Sequence, residues 1–254
     1  MTKPEPITYA SRFQDRESVD AYESGEYAAG SYASQVWEWQ RPVVAQIIQD
    51  FQHGRKAPVR LLDFACGTGR VLACVESLVD AAEGIDISEN MVALARTKCR
   101  RAKLQVGDVL AQPDLLARNY DLIMAFRFLL NVEPATRLRV LRRLRKAIHP
   151  EGRLIVNVHG NSRSLRHPAI VWRRWRKRNK PAGAMLNEMS SLETRALLQE
   201  SGFAVVRQLG FGMLPPTLYR TPLRPLAAAA DRWFAGENFW KNTAIDMLFV
   251  CHPE

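Results

Sequence analysis

The chain lacks the features that mark disulfide-rich, zinc-binding and membrane-spanning proteins. Its 254 residues include four cysteines, none spaced as C-x-x-C or as a zinc site: Cys66, Cys74, Cys99 and Cys251. We therefore expect reduced thiols and a cytoplasmic protein. No apolar run approaches the length of a membrane span, since Arg127 interrupts residues 120–132, and residues 1–20 show no secretory pattern.

Repeats and low-complexity tracts are also absent, and 47% of the residues are hydrophobic. A chain of this length can bury one good core, so we expect a single domain over 1–254. The formal net charge is +10, and the basic residues cluster at 96–103, 137–146 and 163–180. The first two clusters read as solvated helix faces. The third contains no acid, so it suits either an anionic partner or a solvated helix face.

The most informative segment that is present is 61–72, LLDFACGTGRVL. It reads as a buried strand, a glycine turn and the start of a helix. Gly67 and Gly69 lack a Cβ, so the backbone can turn sharply and a ligand can approach the free N–H groups of the helix start. A second strand follows and ends at Asp86. This order is typical of the nucleoside-binding half of a doubly wound α/β domain.

The glycine turn also indicates which nucleoside is bound. A dinucleotide fingerprint needs a third glycine, but position 72 is Leu, and Asp63 would repel a pyrophosphate. The stretch resembles motif I of the class I S-adenosylmethionine-dependent methyltransferases, whose cofactor carries an ammonium and a sulfonium and no phosphate. The resemblance, which covers residues 59–160 best, implies that Asp63 faces a cation. The alternative is that Asp63 only caps the turn.

The resemblance assigns a role to the acid at each strand end. Asp86 matches the residue that binds both ribose hydroxyls, and Asp108 matches the acceptor of the adenine amine. Ile87 and Met91 would lie near the adenine, and the fourth strand would deliver its last residues to the reacting end of the cofactor. The expected cofactor contacts are Asp63, Ala65, Cys66, Gly67, Gly69, Asp86, Ile87, Met91, Asp108, Val109, Ala125, Phe126 and Tyr27.

Strand and helix patterns alternate along the chain, which predicts a mostly parallel sheet. The resemblance implies a doubly wound α/β fold of seven strands, with helices on both faces and an antiparallel last strand. The predicted strands are 59–64, 82–86, 103–107, 120–126, 153–159, 203–211 and 246–252. The predicted helices are 42–51, 69–79, 89–101, 134–148 and 190–201, with a sharp stop at 149–152. Residues 1–58 are expected to form a helical cover and 160–189 a basic insertion.

Methyl transfer needs a nucleophile held close and aligned, and it needs a base only when the acceptor is a hydroxyl or a protonated amine. His159 follows the fifth strand and is the expected base, unless backbone groups satisfy its ring. Arg127 either pairs with an anionic acceptor or forms a structural salt bridge. Tyr22 and Tyr27 either close over the cofactor or simply pack. No acid pattern of a magnesium-dependent catechol methyltransferase is present, so we expect no metal.

Absent motifs narrow the acceptor. Enzymes that methylate exocyclic base amines carry N/D-P-P-Y/F where this chain has residues 125–128, and no Pro-Cys pair follows the fourth strand. We expect O- or N-methylation of a small molecule: a metabolite, a sugar, a lipid-linked compound or a natural product. Four interpretations of 163–180 stay open: binding of an anionic acceptor, docking at an anionic membrane, RNA binding, or a solvated helix. RNA methylation and non-catalytic cofactor binding are the rival functions.

Overall fold

Strands and helices alternate in the computed structural model, which describes residues 16–26, 30–116, 119–176 and 188–254. The strands are β1 (Arg60–Phe64), β2 (Ala81–Asp86), β3 (Lys103–Val106), β4 (Tyr120–Phe126), β5 (Ile148–Val158), β6 (Phe203–Phe211) and β7 (Asp246–Pro253). The α-helices are α1 (Arg16–Glu26), α2 (Tyr32–Gln52), α3 (Leu72–Val75), α4 (Glu89–Lys98), α5 (Pro134–Ala147), α6 (His167–Arg176), α7 (Ser191–Glu200) and α8 (Arg224–Phe234).

All seven strands form one sheet, in the order β3-β2-β1-β4-β5-β7-β6. Strands β1 to β5 are parallel, and β7 runs antiparallel between β5 and β6. The predicted fold class is therefore confirmed, including the antiparallel last strand. β6 and β7 pair as predicted, but residues 212–245 between them contain α8, so the connection is much longer than a hairpin turn.

The sheet is covered on both faces, which is why its central strands are almost entirely apolar. One face packs against α5 and α7 through residues such as Leu141, Leu144 and Leu198. The other face packs against α2, α3 and α8, with Ile48, Leu72 and Ala227 in contact with the sheet. Cavities remain at the carboxyl ends of the parallel strands. In open α/β sheets, ligands bind at that edge.

The first long helix begins earlier than predicted. Pro42 was expected to open a helix, but it lies inside α2, whose N-cap is Ser31, with Ser31 Oγ accepting a hydrogen bond from Ser34 N–H. A proline inside a helix costs about 3 kcal/mol. The helix continues because it buries large side chains on both sides of that position, including Trp37 and Ile48. Each such side chain contributes about 1.5–3 kcal/mol when buried.

Two other predicted boundaries were wrong. The helix expected at 69–79 is only the single turn α3 followed by a 3₁₀ turn at Glu76–Leu78. The Glu76 carboxylate accepts three backbone N–H groups from residues 100–102, and these bonds fix the chain where a longer helix would have continued. The fifth strand, expected from 153, begins at Ile148, because Ile148 already pairs with Tyr120 before the register shifts. The helix before it ends at Ala147, where a stop was predicted.

Two glycines shape the loop after β1. Gly67 has φ +54° and Gly69 has φ +74°, a backbone region that residues with a Cβ rarely adopt. Their surroundings differ. A Cβ on Gly69 would lie 2.9 Å from both Ala95 Cβ and Cys99 Sγ, whereas a Cβ on Gly67 would have no atom within 4 Å. Gly69 therefore serves close packing of the loop against α4, and Gly67 leaves open space beside the loop.

This contrast predicts different effects of alanine at the two glycines. Gly67→Ala should cost about 1–2 kcal/mol from backbone strain alone. Gly69→Ala adds an overpacking penalty of about 1–3 kcal/mol against α4. Urea unfolding of both variants and of the unchanged protein measures the difference. Equal losses for the two variants would contradict the packing role of Gly69.

Candidate active site

Three adjoining cavities lie at the carboxyl ends of β1 to β5. The first cavity, about 410 Å³, is lined by residues that follow β2 and β3. The second, about 40 Å³, surrounds the glycine loop, and the third, about 330 Å³, lies beneath α2. Ala65 and Phe128 line both the first and second cavities, and Arg70, Phe126 and Arg127 line both the second and third. The three cavities therefore adjoin one another along shared walls, and we call them together the cleft.

The first cavity contains the acids predicted to hold a nucleoside. Asp86 is 2% exposed, and its carboxylate accepts hydrogen bonds from Gly67 N–H at 2.8 Å and Ser88 N–H at 2.9 Å. Burial raises the pKa of the Asp86 carboxyl, although these backbone donors oppose the shift. Asp108 accepts Leu110 N–H at 2.8 Å and lines the same cavity. Both acids are held in place by backbone donors.

Apolar residues supply the walls of the first cavity. Ile87 is 40% exposed and Val109 is 2% exposed, and both line it beside the two acids. Apolar walls with a few placed polar groups are usual for small-molecule sites. The first cavity is therefore an apolar pocket with two fixed carboxyl groups, at the place where the sequence predicts the adenosine.

The second cavity has a buried acid at its base. Asp63 is 1% exposed, and its Oδ2 has no hydrogen-bond partner in the described part of the chain. Burial raises the pKa of this carboxyl to about 8, while Arg70 opposes the shift and Asp86 adds to it. The N–H of Leu72 also opposes the shift. A cationic ligand beside the buried carboxyl would satisfy it.

The third cavity is rich in polar groups. Arg70, Arg127 and Arg166 line it together with His159 and Asp246. The guanidinium of Arg70 stacks 4.7 Å from the Trp37 ring centroid, and that of Arg166 stacks 4.4 Å from the Tyr32 ring centroid. Stacking holds planar cations in place in a partly desolvated site. The cavity therefore presents positive charge in a fixed arrangement.

His159, the residue after β5, lies in the third cavity. Its Nδ1 is buried without a hydrogen-bond partner among the described residues. The backbone bond proposed as the alternative is thus not formed at Nδ1. Burial and the charge of Arg127 hold the pKa of His159 well below its ordinary value. The ring is neutral near pH 7, and it binds a proton only weakly.

Asp246, at the start of β7, is the acid of the third cavity. Its Oδ1 accepts hydrogen bonds from Gln40 Nε2, at 2.6 Å, and from Asn157 Nδ2. Both donors are buried. Burial raises the pKa of Asp246 to about 6, opposed by these donors and by Arg127. The carboxylate is therefore ionised at pH 7 and binds a proton more strongly than an ordinary aspartate.

The structure places most predicted site residues on the cleft, but not all of them. Met91 lines the second cavity beside Cys66 rather than the first. Ala125 is fully buried within the sheet, and Gly69 packs against α4. Burial raises the pKa of the Cys66 thiol, so it is unreactive. Tyr27 lies outside the described residues.

Sequence reasoning did not single out four polar residues that line the third cavity: Arg70, Gln40, Asn157 and Asp246. Arg166, which belongs to the basic segment 163–180, also lines it. Asn157 gave a usable signal, because it is polar within the otherwise apolar run 154–158. The other signals are weak, since Gln40 and Asp246 are 206 residues apart and meet only in the folded chain. In the described ranges, no three His, Cys, Asp or Glu residues are grouped so that they could hold a metal ion.

The sheet is Rossmann-like, with a glycine loop after β1 and an acid at or beside the carboxyl end of each of β1, β2 and β3. These features are typical of an enzyme that uses a nucleoside cofactor. Comparison of sequences gives the family. The model of the methyltransferase-domain family matches residues 36–208, so the chain belongs to that family. The predicted family and its cofactor, S-adenosylmethionine, are confirmed. The residues present fit this cofactor, since Asp63 offers a buried, unsatisfied acceptor to a cationic ligand.

A curated relative agrees with this assignment. A protein of Geobacillus sp. (strain WCH70), named as a candidate methyltransferase, is 27% identical over 112 residues. The match spans 42% of this chain and 45% of that protein. The chain thus matches about half the length of this curated relative.

Solved structures share the fold at low identity. A methyltransferase of Thermotoga maritima has a TM-score of 0.62 at 15% identity, with 94% of this chain and 97% of that chain covered. Magnesium protoporphyrin IX methyltransferase of Synechocystis, with bound S-adenosylhomocysteine, has a TM-score of 0.59 at 15% identity, with 94% of this chain and 100% of that chain covered. Geranyl diphosphate C-methyltransferase of Streptomyces coelicolor has a TM-score of 0.55 at 14% identity, with 84% of this chain and 77% of that chain covered.

The raised pKa of Asp63 predicts that cofactor binding releases a proton. At pH 7 the free carboxyl is mostly protonated, since its pKa is about 8, and a nearby ammonium favours the ionised form. Affinity for S-adenosylmethionine should therefore rise with pH up to about 8 and then level off. Calorimetry in two buffers of different ionisation enthalpy measures the released proton. Asp63→Asn should bind more weakly and release none; the same release from this variant would contradict the assignment.

Proposed function

We propose that this chain transfers a methyl group from S-adenosylmethionine to a small-molecule acceptor held in the third cavity. The observation that carries the proposal is the shared wall of Arg70, Phe126 and Arg127, which joins the third cavity to the glycine loop. The cofactor supplies an electrophilic methyl group on a sulfonium. The chain's own residues position the acceptor and exclude water from the junction.

The charges of the third cavity favour an anionic acceptor. Three guanidiniums line it, against one carboxylate, Asp246. Arginine binds carboxylates and phosphates through paired hydrogen bonds, and ring stacking already orients Arg70 and Arg166. A volume of about 330 Å³ is at the small end of ligand pockets. We therefore infer a compact acceptor that carries a carboxylate or phosphate group.

The proton of a hydroxyl or ammonium acceptor needs a base, and the third cavity offers two. His159 was the expected base, but its depressed pKa makes it a weak one. Asp246 is ionised at pH 7 and is fixed by Gln40 and Asn157. We propose that Asp246 accepts the proton while His159 bonds to the acceptor through its ring. When a hydroxyl or ammonium acceptor is methylated, its proton would pass to the Asp246 carboxylate.

The structural neighbours agree with a small acceptor. The Synechocystis protein acts, by its name, on magnesium protoporphyrin IX, and the Streptomyces protein on geranyl diphosphate. These likenesses are at the level of the fold, so they support the acceptor class without identifying the molecule. RNA methylation is the second candidate, favoured by the net charge of +10. Only part of the basic segment 163–180 lies in the described ranges, so its interpretations stay predictions.

The function is tested by incubating the full chain with methyl-labelled S-adenosylmethionine and with separate anionic small-molecule, lipid and RNA pools from cells. We expect the label in the anionic small-molecule pool. Asp86→Ala is the control that should lose cofactor binding and all labelling, because it removes the acid held beside the glycine loop. Label in the RNA pool would support an RNA methyltransferase instead. Tight cofactor binding with no labelled pool supports a non-catalytic protein.

The base assignment predicts a difference between two variants. Asp246→Asn keeps an oxygen for Gln40 and Asn157 but removes the base, so kcat/KM toward the labelled fraction should fall about 100-fold or more. Cofactor affinity should stay unchanged. The acid limb of the pH–rate profile, near pH 6, should also disappear. His159→Ala should cost less. If His159→Ala lowered kcat/KM more than Asp246→Asn, His159 would be the base.

A further inference from the structure

Helix α8 has an apolar outer face, the reverse of an ordinary surface helix. Leu226 is 69% exposed and Trp233, two turns later on the same face, is 75% exposed. The inward-facing residues are Ala227 and Asp231, both buried. A helix that turns its carboxylate inward and its tryptophan outward leaves a large apolar area in contact with water.

The orientation of α8 is fixed by the fold. Asp231 Oδ1 accepts Met213 N–H at 2.7 Å and Leu214 N–H at 3.0 Å, and Asp231 Oδ2 accepts the hydroxyl of Tyr219. Rotating the helix to bury Trp233 would break three hydrogen bonds to a buried carboxylate, which is costly. The apolar face is therefore held outward.

A chain of aromatic rings extends this face to the 3₁₀ segment Phe239–Asn242. Trp233 contacts Phe234 at 4.8 Å between ring centroids, Phe234 contacts Trp240 at 5.9 Å, and Trp240 contacts Phe239 at 5.4 Å. Phe239 is 87% exposed. We call this surface the α8 patch: Leu223, Leu226, Trp233, Phe234, Phe239 and Trp240. Contiguous exposed apolar surface of this kind marks an interaction site.

The charges around the α8 patch are basic. Arg224 and Arg232 are exposed at its two ends. The two acids of residues 223–243 do not offset them, because Asp231 is buried and Glu237 pairs with both Arg207 and Lys241. The rim of the patch therefore carries positive charge around an apolar, aromatic centre.

We propose that the α8 patch docks this protein on the surface of an anionic lipid bilayer. Tryptophan and phenylalanine favour the headgroup boundary, leucines reach the acyl chains, and arginines bind anionic headgroups. This combination of aromatic, aliphatic and basic side chains favours a bilayer over a second copy of the chain or RNA. Two copies of the patch would bring like charges together. RNA bases stack on aromatic rings, but they gain little from the exposed leucines.

The α8 patch lies near the third cavity, so docking would affect where an acceptor is bound. The docking proposal itself does not depend on the proposed methyl transfer. Arg224 lies against Gly30, next to the start of α2. The Tyr219 ring, which is bonded to Asp231, packs 5.5 Å from the Tyr32 ring, and Tyr32 lines the third cavity. Docking would therefore hold the acceptor cavity close to the membrane surface.

The test uses the full chain and sedimented vesicles, either of phosphatidylcholine alone or with about one third phosphatidylglycerol. We expect at least ~10-fold tighter binding to the anionic vesicles. Trp233→Ser combined with Phe239→Ser should weaken that binding at least ~10-fold, because both side chains insert at the interface. Both positions are exposed, so the fold should persist, as near-ultraviolet circular dichroism would check.

The matched control is Leu192→Ser, which alters a residue that is 58% exposed on α7, at the opposite face of the sheet. It should bind anionic vesicles like the unchanged protein. Absence of vesicle binding, or equal loss in the control and the double variant, would overturn the proposal. A concentration-dependent dimer that the double variant abolishes would assign the patch to a second copy. Polyuridylate binding that the double variant abolishes, without vesicle binding, would assign it to RNA.

Discussion

The hydrogen bond from Gly67 N–H to the Asp86 carboxylate is the interaction on which the cleft depends. It joins the loop after β1 to the end of β2, and the same carboxylate accepts Ser88 N–H. Ser88 in turn caps α4 by accepting Met91 N–H. One buried acid thus positions a loop, a strand end and a helix start. Such a group is costly to bury and is stable only when it is bonded.

The cleft is also where the backbone is strained. Ala65 and Arg127 both have φ 55°, in the left-handed region that costs a residue with a Cβ about 1–2 kcal/mol. They follow the ends of β1 and β4, two neighbouring strands, and each lines two of the three cavities. Strain at both positions turns the chain away from the sheet edge. Space between the strand ends is the result, so the strain contributes directly to the binding site.

The cofactor half of the cleft could be predicted from sequence because its parts are local. Asp63 lies near the end of β1 and Gly67 and Gly69 in the loop that follows, while Asp86 ends β2 and Asp108 follows β3. Their positions follow from the rule that parallel strands share a carboxyl edge. Met91 lines the second cavity, and its expected place near the adenine stays a prediction.

The acceptor half could not be predicted in the same way. Its acid, Asp246, is held by Gln40 and Asn157, which come from α2 and β5 and are 206 and 89 residues away along the chain. No spacing rule connects such residues; they meet because β7 inserts between β5 and β6. The boundaries of α2 and α3 were predicted wrongly for a related reason. Tertiary contacts of Glu76 end α3 early, and burial of large side chains lets α2 continue through Pro42. Both effects outweigh local helix preference.

Acids and arginines are distributed unevenly along the cleft, and in the proposed function this distribution bears on turnover. Asp63, Asp86 and Asp108 line the first and second cavities, whereas three arginines line the third, two of which, Arg70 and Arg127, also line the second. A sulfonium cofactor beside the acids would be matched by them, whereas its product, with a neutral sulfur, would be matched less well. The buried acids would then favour exchange of product for fresh cofactor. An anionic acceptor would keep its pairing with the arginines throughout.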